Sequence, residues 1–277
     1  MGDRGVDNKG VVRVEAWEKY GWLRHGFSTR KGGVSDIYGS KSLNLGWTVE
    51  DEQGLVAENR ARFVGAVGGG LADKTGHFSL VTVRQVHGDG LQVVREGALE
   101  GLRATAEGKA VLVGDGLMTD LPGVLVGVQT ADCVPVLLVD VRRRAVAAIH
   151  AGWRGTLARI VEKGVAGMRE AYGTDVEDLV AAVGPSIGGC CYSVGEEVRG
   201  GFEREFGYGG SLFSAGGHLD LWEANRRQLL EAGVRDVSVL GECTACARVA
   251  GGRKYFSYRA EKGVTGRMLS VVGRGSG

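Results

Sequence analysis

No apolar run in the 277 residues approaches the roughly 20 that a bilayer-spanning helix needs, so the sequence predicts no membrane protein. Prolines number three, and no stretch rich in Pro, Ser or charge reads as a linker. Internal repeats are absent too. One continuous domain over 1–277 is therefore expected, with polar ends at about 1–10 and 273–277 expected to fray. An excess of either charge is also missing: 34 Lys and Arg against 33 Asp and Glu leave a formal +1. That balance offers no bulk attraction to nucleic acid or to an anionic membrane. The opening "MGDRGVDNKG" has no apolar signal-peptide region, and Val6 stands where a myristoylation motif has Ser or Thr. A cytoplasmic location is expected. Histidines number five, at 25, 77, 87, 150 and 218, with no His-x-His pair. A trinuclear copper centre draws on many more, usually in such pairs, so one subunit cannot build it.

What is present describes an ordinary globular chain, 43% hydrophobic and 24% charged. Five cysteines is an odd number and includes the vicinal pair Cys190–Cys191, which fits a reducing compartment better than a disulfide framework. That pair lies between "GPSIGG" and "YSVGEEV" and is expected to be structural, in a buried turn leading to a helix. Cys243 and Cys246 form a C-x-x-C, weak as a metal signal where no second such pair exists. Glycine is abundant, at 49 residues, without a period, which implies many tight turns and close backbone approaches.

Short β-rich runs dominate the first two thirds. "SLVTVRQV" (79–86) and "LQVV" (91–94) flank the turn-like "HGDG" and predict a hairpin. "GVLVGV" (123–128), "VPVLLVD" (134–140) and "AVAAI" (145–149) are near-continuously apolar, as strands covered on both faces are. A helix is expected from Thr156 as N-cap to a stop at Gly173, with Leu157, Ile160, Val161, Val165, Met168 and Tyr172 on one face. A second follows Asp220, with a capping-box-like Asp220…Glu223 and an end at Gly233. The stretch 96–112 reads as either a helix or a long excursion. Strands mixed with helices argue for an α+β fold around a large mixed β-sheet flanked by helices.

The sharpest local signal is "TADC" (130–133), an acid beside a thiol where a strand begins. A turn centred on Val141–Arg142 sets Cys133 opposite His150 at the open end of the hairpin 134–149. His87 ends another predicted strand. One Cys and two His would make a zinc site with a fourth position open, although a histidine before Gly in a turn is equally read as a solvated loop residue. Downstream, "AGWRGT" turns into a helix start with Arg154 beside it, which suits either an anion or plain solvation. Asp132 would face away from Cys133 if the strand began there, or would orient a ligand or handle a proton.

Together, "HGFSTRKGGVS", "SLNLG", "RQVHG", "DGLMTD", "TADCVPVLLVD", "HAGWRGT", "GPSIGGCCYSVGEEV", "DLWEANRRQLL" and "YFSYR…TGRM" resemble the YfiH-like family. Its members have been called laccase-domain or polyphenol oxidase proteins and purine nucleoside phosphorylases. The likeness covers roughly 20–272. It implies zinc ligands at His87, Cys133 and His150, and a fold similar to the catalytic domain of cytotoxic necrotizing factor. It also implies phosphorolysis of adenosine, inosine and methylthioadenosine, with some adenosine deamination. The partners implied are purine nucleosides and inorganic phosphate. Within the family motifs, Arg30, Arg154 and Arg259 are candidate anion clamps and Asn44 a candidate ribose or base contact. Cys133, His150 and Asp132 are the candidate catalytic groups.

Two other chemistries compete. A copper-dependent polyphenol oxidase lacks its trinuclear ligands, although the single trio would also accept copper(II), which outranks zinc in affinity. A metal-free hydrolase could use Cys133 as nucleophile and His150 as base, but would have no use for His87. A non-catalytic scaffold leaves the trio and the arginines without a task.

Overall fold

The computed structural model describes residues 10–68, 78–96 and 112–275. In chain order its strands begin β1 (Val11–Val12), β2 (Leu23–Ser28), β3 (Lys31–Ser35), β4 (Ser79–Thr82), β5 (Leu91–Val93), β6 (Gly116–Thr119) and β7 (Val124–Thr130). They continue β8 (Val134–Asp140), β9 (Val146–Ala151), β10 (Leu179–Val183), β11 (Asp236–Val239), β12 (Arg248–Val249), β13 (Gly252–Arg253) and β14 (Met268–Arg274). The helices are α1 (Gln53–Gly68), α2 (Trp153–Leu157), α3 (Ile160–Tyr172), α4 (Glu196–Glu205) and α5 (Leu221–Glu231).

Two mixed sheets result, one ordered β1-β2-β14-β7-β4 and the other β11-β10-β8-β9-β6-β5. The class is α+β, as expected, with the mixed sheet divided into two that pack face to face. Every residue of β8 and β9 is buried, as their unbroken apolar runs predict. The period of two sorts them. Leu137, Val139 and Ala148 join Phe27, Val126, Val128 and Val272 between the sheets. Val136, Leu138 and Ile149 face the other way, onto Ile160, Val161, Val165 and Met168 of α3. On the outer face of the five-stranded sheet, Phe63 and Val67 of α1 cover Leu125, Leu269 and Val271. No helix among the described residues is long and apolar enough to cross a membrane.

Several expectations change. The hairpin 79–94 does not form: β4 pairs in parallel with β7, and β5 in parallel with β6 of the other sheet. "HGDG" therefore crosses from sheet to sheet. The β8–β9 hairpin does form, but pairs Pro135 with His150, two residues from the expected register. The Asp140 carboxylate sets the turn by accepting from the amides of Arg142 (3.0 Å) and Arg143 (2.8 Å). Arg144 then closes the turn in a left-handed conformation (φ 58°).

Thr156 is no N-cap. It lies inside α2, and its side-chain oxygen accepts from Asn225 of α5 at 3.1 Å. A left-handed Arg159 (φ 61°) separates α2 from α3. Gly173 does end α3, and the Asp220 carboxylate caps α5 by accepting from the Glu223 amide at 3.0 Å. Gly273 and Arg274 are not frayed, since β14 pairs through them with β2 and β7. The first nine residues, most of 96–112 and the last two residues lie outside the described part of the chain.

His25 of β2 is a buried neutral base. Its Nε2 accepts the Val14 amide at 2.9 Å, and its ring meets Trp17 edge-on with centroids 5.0 Å apart. Burial, then the nearby Arg13 charge, hold its pKa down at about 3 against 6.5 for a free histidine. Below pH 6.5 the unfolded chain takes up a proton that the folded chain refuses until about pH 3. His25 therefore withdraws stability as pH falls through that window. Urea unfolding across this range should show a slope of stability against pH shallower by up to about one proton in His25→Gln, which keeps an acceptor but does not titrate. An unchanged slope would mean that His25 is protonated in the fold.

Candidate active site

Where the sheets part at one end, they leave a cavity of about 800 Å³. His150 lies on the inter-sheet side of β9, one pleat beyond Ala148. Cys133 precedes β8, and the observed register carries it past His150 to lie against Gly152. A Cβ on Gly152 would stand 3.1 Å from the Cys133 sulphur and 3.6 Å from His87 Cδ2, so only glycine leaves this approach open. His87 arrives on the segment that crosses between the sheets. Its ring stands at 86° to that of His150, with centroids 4.9 Å apart.

The group that assembles these residues is Asp115, just before β6 and completely buried. One carboxylate oxygen is 2.8 Å from His150 Nδ1 and accepts the His87 amide at 2.9 Å. The other accepts the amides of Gly88 (2.7 Å) and Val86 (3.3 Å). These bonds keep His87 in a left-handed conformation (φ 59°) that a non-glycine residue rarely takes. They also fix the His150 tautomer and turn its other nitrogen towards Cys133. Burial works against the Asp115 charge, but His150 and the amides of Gly88 and His87 outweigh it and keep the carboxyl below its usual range.

The donor atoms of His87, Cys133 and His150 all lie within 4.8 Å of one another. Tetrahedral zinc asks for ligand separations of about 3.3–3.8 Å, within reach of small side-chain adjustments. His87 is exposed, Cys133 half-buried and His150 buried, so a metal there would have one side open to the cavity. Burial opposes charge on both Cys133 and His150, and their mutual attraction outweighs it. With further hydrogen bonds from His150 and His87, Cys133 falls to about 6. The Cys133 thiolate and the Asp115 carboxylate raise His150 to about 9. The thiolate needed for ligation is thus present at neutral pH, while His150 must release its proton to bind a metal.

The other sequence candidates separate into two groups. Arg154 and Arg259 line the cavity. The Arg154 guanidinium stacks on Trp153 at 4.4 Å and makes no hydrogen bond among the described residues. Arg259 donates to the Ser193 carbonyl at 2.8 Å. Arg30 and Asn44 do not reach the cavity. Arg30 pairs with Glu261 at 2.9 Å and lines a separate pocket. Asn44 is fully buried, bonds Asp51 at 2.8 Å and accepts the Arg267 amide at 2.9 Å. Through that last bond it positions Arg267, a cavity residue.

The strand starts only at Val134, so Asp132 lies outside it, in a left-handed conformation (φ 106°). Its carboxylate accepts from Thr244 Oγ1 (2.6 Å) and from the Arg259 amide (2.7 Å), so it organises the cavity wall. The sequence reading missed Asp115, the cavity arginines Arg84 and Arg267, and the aromatic walls Trp47, Tyr192 and Tyr258. Asp115 and Arg267 lie in the quoted stretches "DGLMTD" and "TGRM", but no local pattern marks an aspartate that gathers amides from residues 86–88.

Residues 24–275 match the family model described as "Multi-copper polyphenol oxidoreductase laccase". A protein of Deinococcus radiodurans named purine nucleoside phosphorylase is 41% identical, covering 90% of this chain and 88% of its own length. A protein named adenosine deaminase RL5, from an unknown prokaryotic organism, is 34% identical over 90% of this chain and 93% of its own. The crystal structure of the Bacillus licheniformis hypothetical protein YfiH superposes with a TM-score of 0.83 at 32% identity, covering 96% of this chain and 97% of that one. With its fold, its motifs and these relatives in agreement, the chain belongs to the YfiH-like, laccase-domain family.

Proposed function

We propose that this chain is a zinc-dependent purine nucleoside phosphorylase, splitting adenosine, inosine and methylthioadenosine with inorganic phosphate. The observation that carries this reading is the meeting, in one cavity, of the His87–Cys133–His150 trio with four arginines and aromatic walls. Phosphate is a dianion, and guanidinium groups bind it through paired charge-assisted hydrogen bonds. Arg84, Arg154, Arg259 and Arg267 line the cavity, and the Arg154 guanidinium has no hydrogen-bond acceptor among the described residues. A purine offers flat apolar faces, which suit Trp47, Trp153, Tyr192 and Tyr258.

In phosphorolysis a phosphate oxygen bonds to the anomeric carbon as the bond from that carbon to the purine nitrogen breaks. The electron pair leaves with the purine. The arginines hold the phosphate against the sugar and hold its charge through the transition state. Asp132 positions Arg259, and Asp115 positions His87 and His150. Burial pushes Tyr192 up to about 12, so its hydroxyl stays protonated and can donate to the departing base. Zinc at the trio would supply a Lewis acid with one open position, and the same site could deaminate adenosine, water replacing the purine amino group, which leaves as ammonia, as the name of relative RL5 suggests. Copper-dependent phenol oxidation has weaker support, because His87 and His150 are the only histidines lining the cavity among the described residues.

Two outcomes test this reading. Adenosine should yield adenine and ribose 1-phosphate at a rate that saturates with phosphate. Arg154→Ala should depress that rate about ten- to a hundred-fold, the equivalent of one charge-assisted hydrogen bond, and depress any deamination less. Equal loss of both activities would remove Arg154 from the phosphate, and turnover to inosine alone, indifferent to phosphate, would make the protein a deaminase. Asp115→Asn should lower zinc affinity about ten- to a hundred-fold in a chelator competition, since the charge that orients His150 is gone. Unchanged affinity would leave Asp115 with a folding role only.

A further inference from the structure

The C-x-x-C at 243–246 lacks a second pair in the sequence, and the fold supplies one. After β10 the chain turns at Gly188–Cys191, and after β11 it returns beside that turn. Ser186 and Cys243 form a parallel bridge, the Ser186 amide donates to Glu242 O at 3.2 Å, and the Thr244 amide donates to Ser186 O at 3.0 Å. This pairing brings the sulphurs of Cys190, Cys191, Cys243 and Cys246 within 4.8 Å of one another. All four are free thiols. The Cys190 and Cys246 sulphurs are 3.7 Å apart, close to the roughly 3.8 Å between neighbouring ligands when four Zn–S bonds of about 2.3 Å point to the corners of a tetrahedron.

The two loops are also tied at one of the sulphurs. The Gly188 amide in the first loop donates to the Cys243 sulphur in the second at 3.3 Å. None of the four cysteines lines the catalytic cavity.

We propose that Cys190, Cys191, Cys243 and Cys246 form a structural zinc site, separate from the His87–Cys133–His150 trio. Zinc bound by four thiolates has no open position and takes no part in chemistry, and binding releases the thiol protons to solvent. The site is a clasp behind the cavity wall. Tyr192, next to Cys191, faces the cavity, and the Ser193 carbonyl accepts from Arg259. Thr244, next to Cys243, donates to Asp132. Joining the two loops therefore holds Tyr192, Asp132 and Arg259 in one arrangement.

The test uses full-length Cys133→Ser protein, purified under reducing conditions, so that every metal–thiolate signal comes from these four residues whether or not the trio binds metal. It should retain about one equivalent of zinc by mass spectrometry. After the zinc is stripped, titration with cobalt(II) should give the intense visible bands and the thiolate charge-transfer band of a tetrahedral tetrathiolate. Adding Cys243→Ser and Cys246→Ser should abolish both signals and lower the melting temperature by several degrees. Should that variant fail to fold, Cys190→Ser at the exposed rim serves in its place, with a weakened and altered cobalt spectrum expected. Zinc-free Cys133→Ser protein that develops no thiolate–cobalt band, or a cobalt spectrum untouched by the cysteine changes, would overturn the site. Stoichiometric iron in place of zinc would overturn the metal assigned.

Discussion

A single buried carboxylate, that of Asp115, ties the candidate site together. It gathers three successive amides, from Val86 to Gly88, and the Nδ1 of His150. A buried charge is tolerated only when its lone pairs are satisfied, and here the partners come from a crossing segment and from the end of β9. Each side needs the other. Without the carboxylate, the crossing segment would have three amides without acceptors and a histidine in a disfavoured conformation. Without the amides, Asp115 would be an uncompensated anion behind the site. Asp132 repeats the arrangement on the opposite wall, holding Thr244 and the Arg259 backbone from its own left-handed position. Asp132, a catalytic candidate in the sequence, and Asp115, which the sequence did not single out, thus both act by fixing backbone.

The two sheets explain why the donors meet where they do. Cys133 and His150 belong to the ends of neighbouring strands in one sheet. His87 belongs to neither sheet, lying on the segment that leaves β4 in one and enters β5 in the other. A hairpin over 79–94 would have kept His87 at a sheet edge. The separation of its two arms places it at the mouth between the layers, beside the end of β7, which contributes Gln129 and Thr130 to the cavity.

Much of this was legible in the residues. Continuous apolarity marked β7, β8 and β9 as doubly covered, and the capping aspartate and closing glycine of α5 were read in place. The nearness of Cys133 and His150 followed from a short turn, although Asp140 caps the amides of Arg142 and Arg143 and the turn centres one residue later, which shifts the pairing by two residues. What stayed hidden was long-range. Nothing local distinguishes a hairpin from two strands that part into different sheets, since both need a Gly-rich turn between β-rich runs. Arg30 and Asn44 have the right chemistry for ligands, but salt-bridge and amide partners far along the chain, Glu261 and Arg267, had already claimed them. The four clustered cysteines escaped for the same reason, because adjacency in sequence disguised a pairing across more than fifty residues.

The position of β14 bears on the order in which the protein forms. The six-stranded sheet draws its strands from residues 91–239, mostly through neighbouring connections, and it carries Asp115, Cys133 and His150. The five-stranded sheet is joined through its middle by Met268–Arg274, between β2 and β7. Pairings of such high sequence separation form slowly, because the intervening chain must be closed first. During synthesis, half of the site can be in place while the sheet that supplies its other wall still lacks its central strand. Until residues 268–274 leave the ribosome, the inter-sheet face of β8 and β9 lacks the cover that Met268 and Val272 supply, and apolar surface left bare in this way favours aggregation.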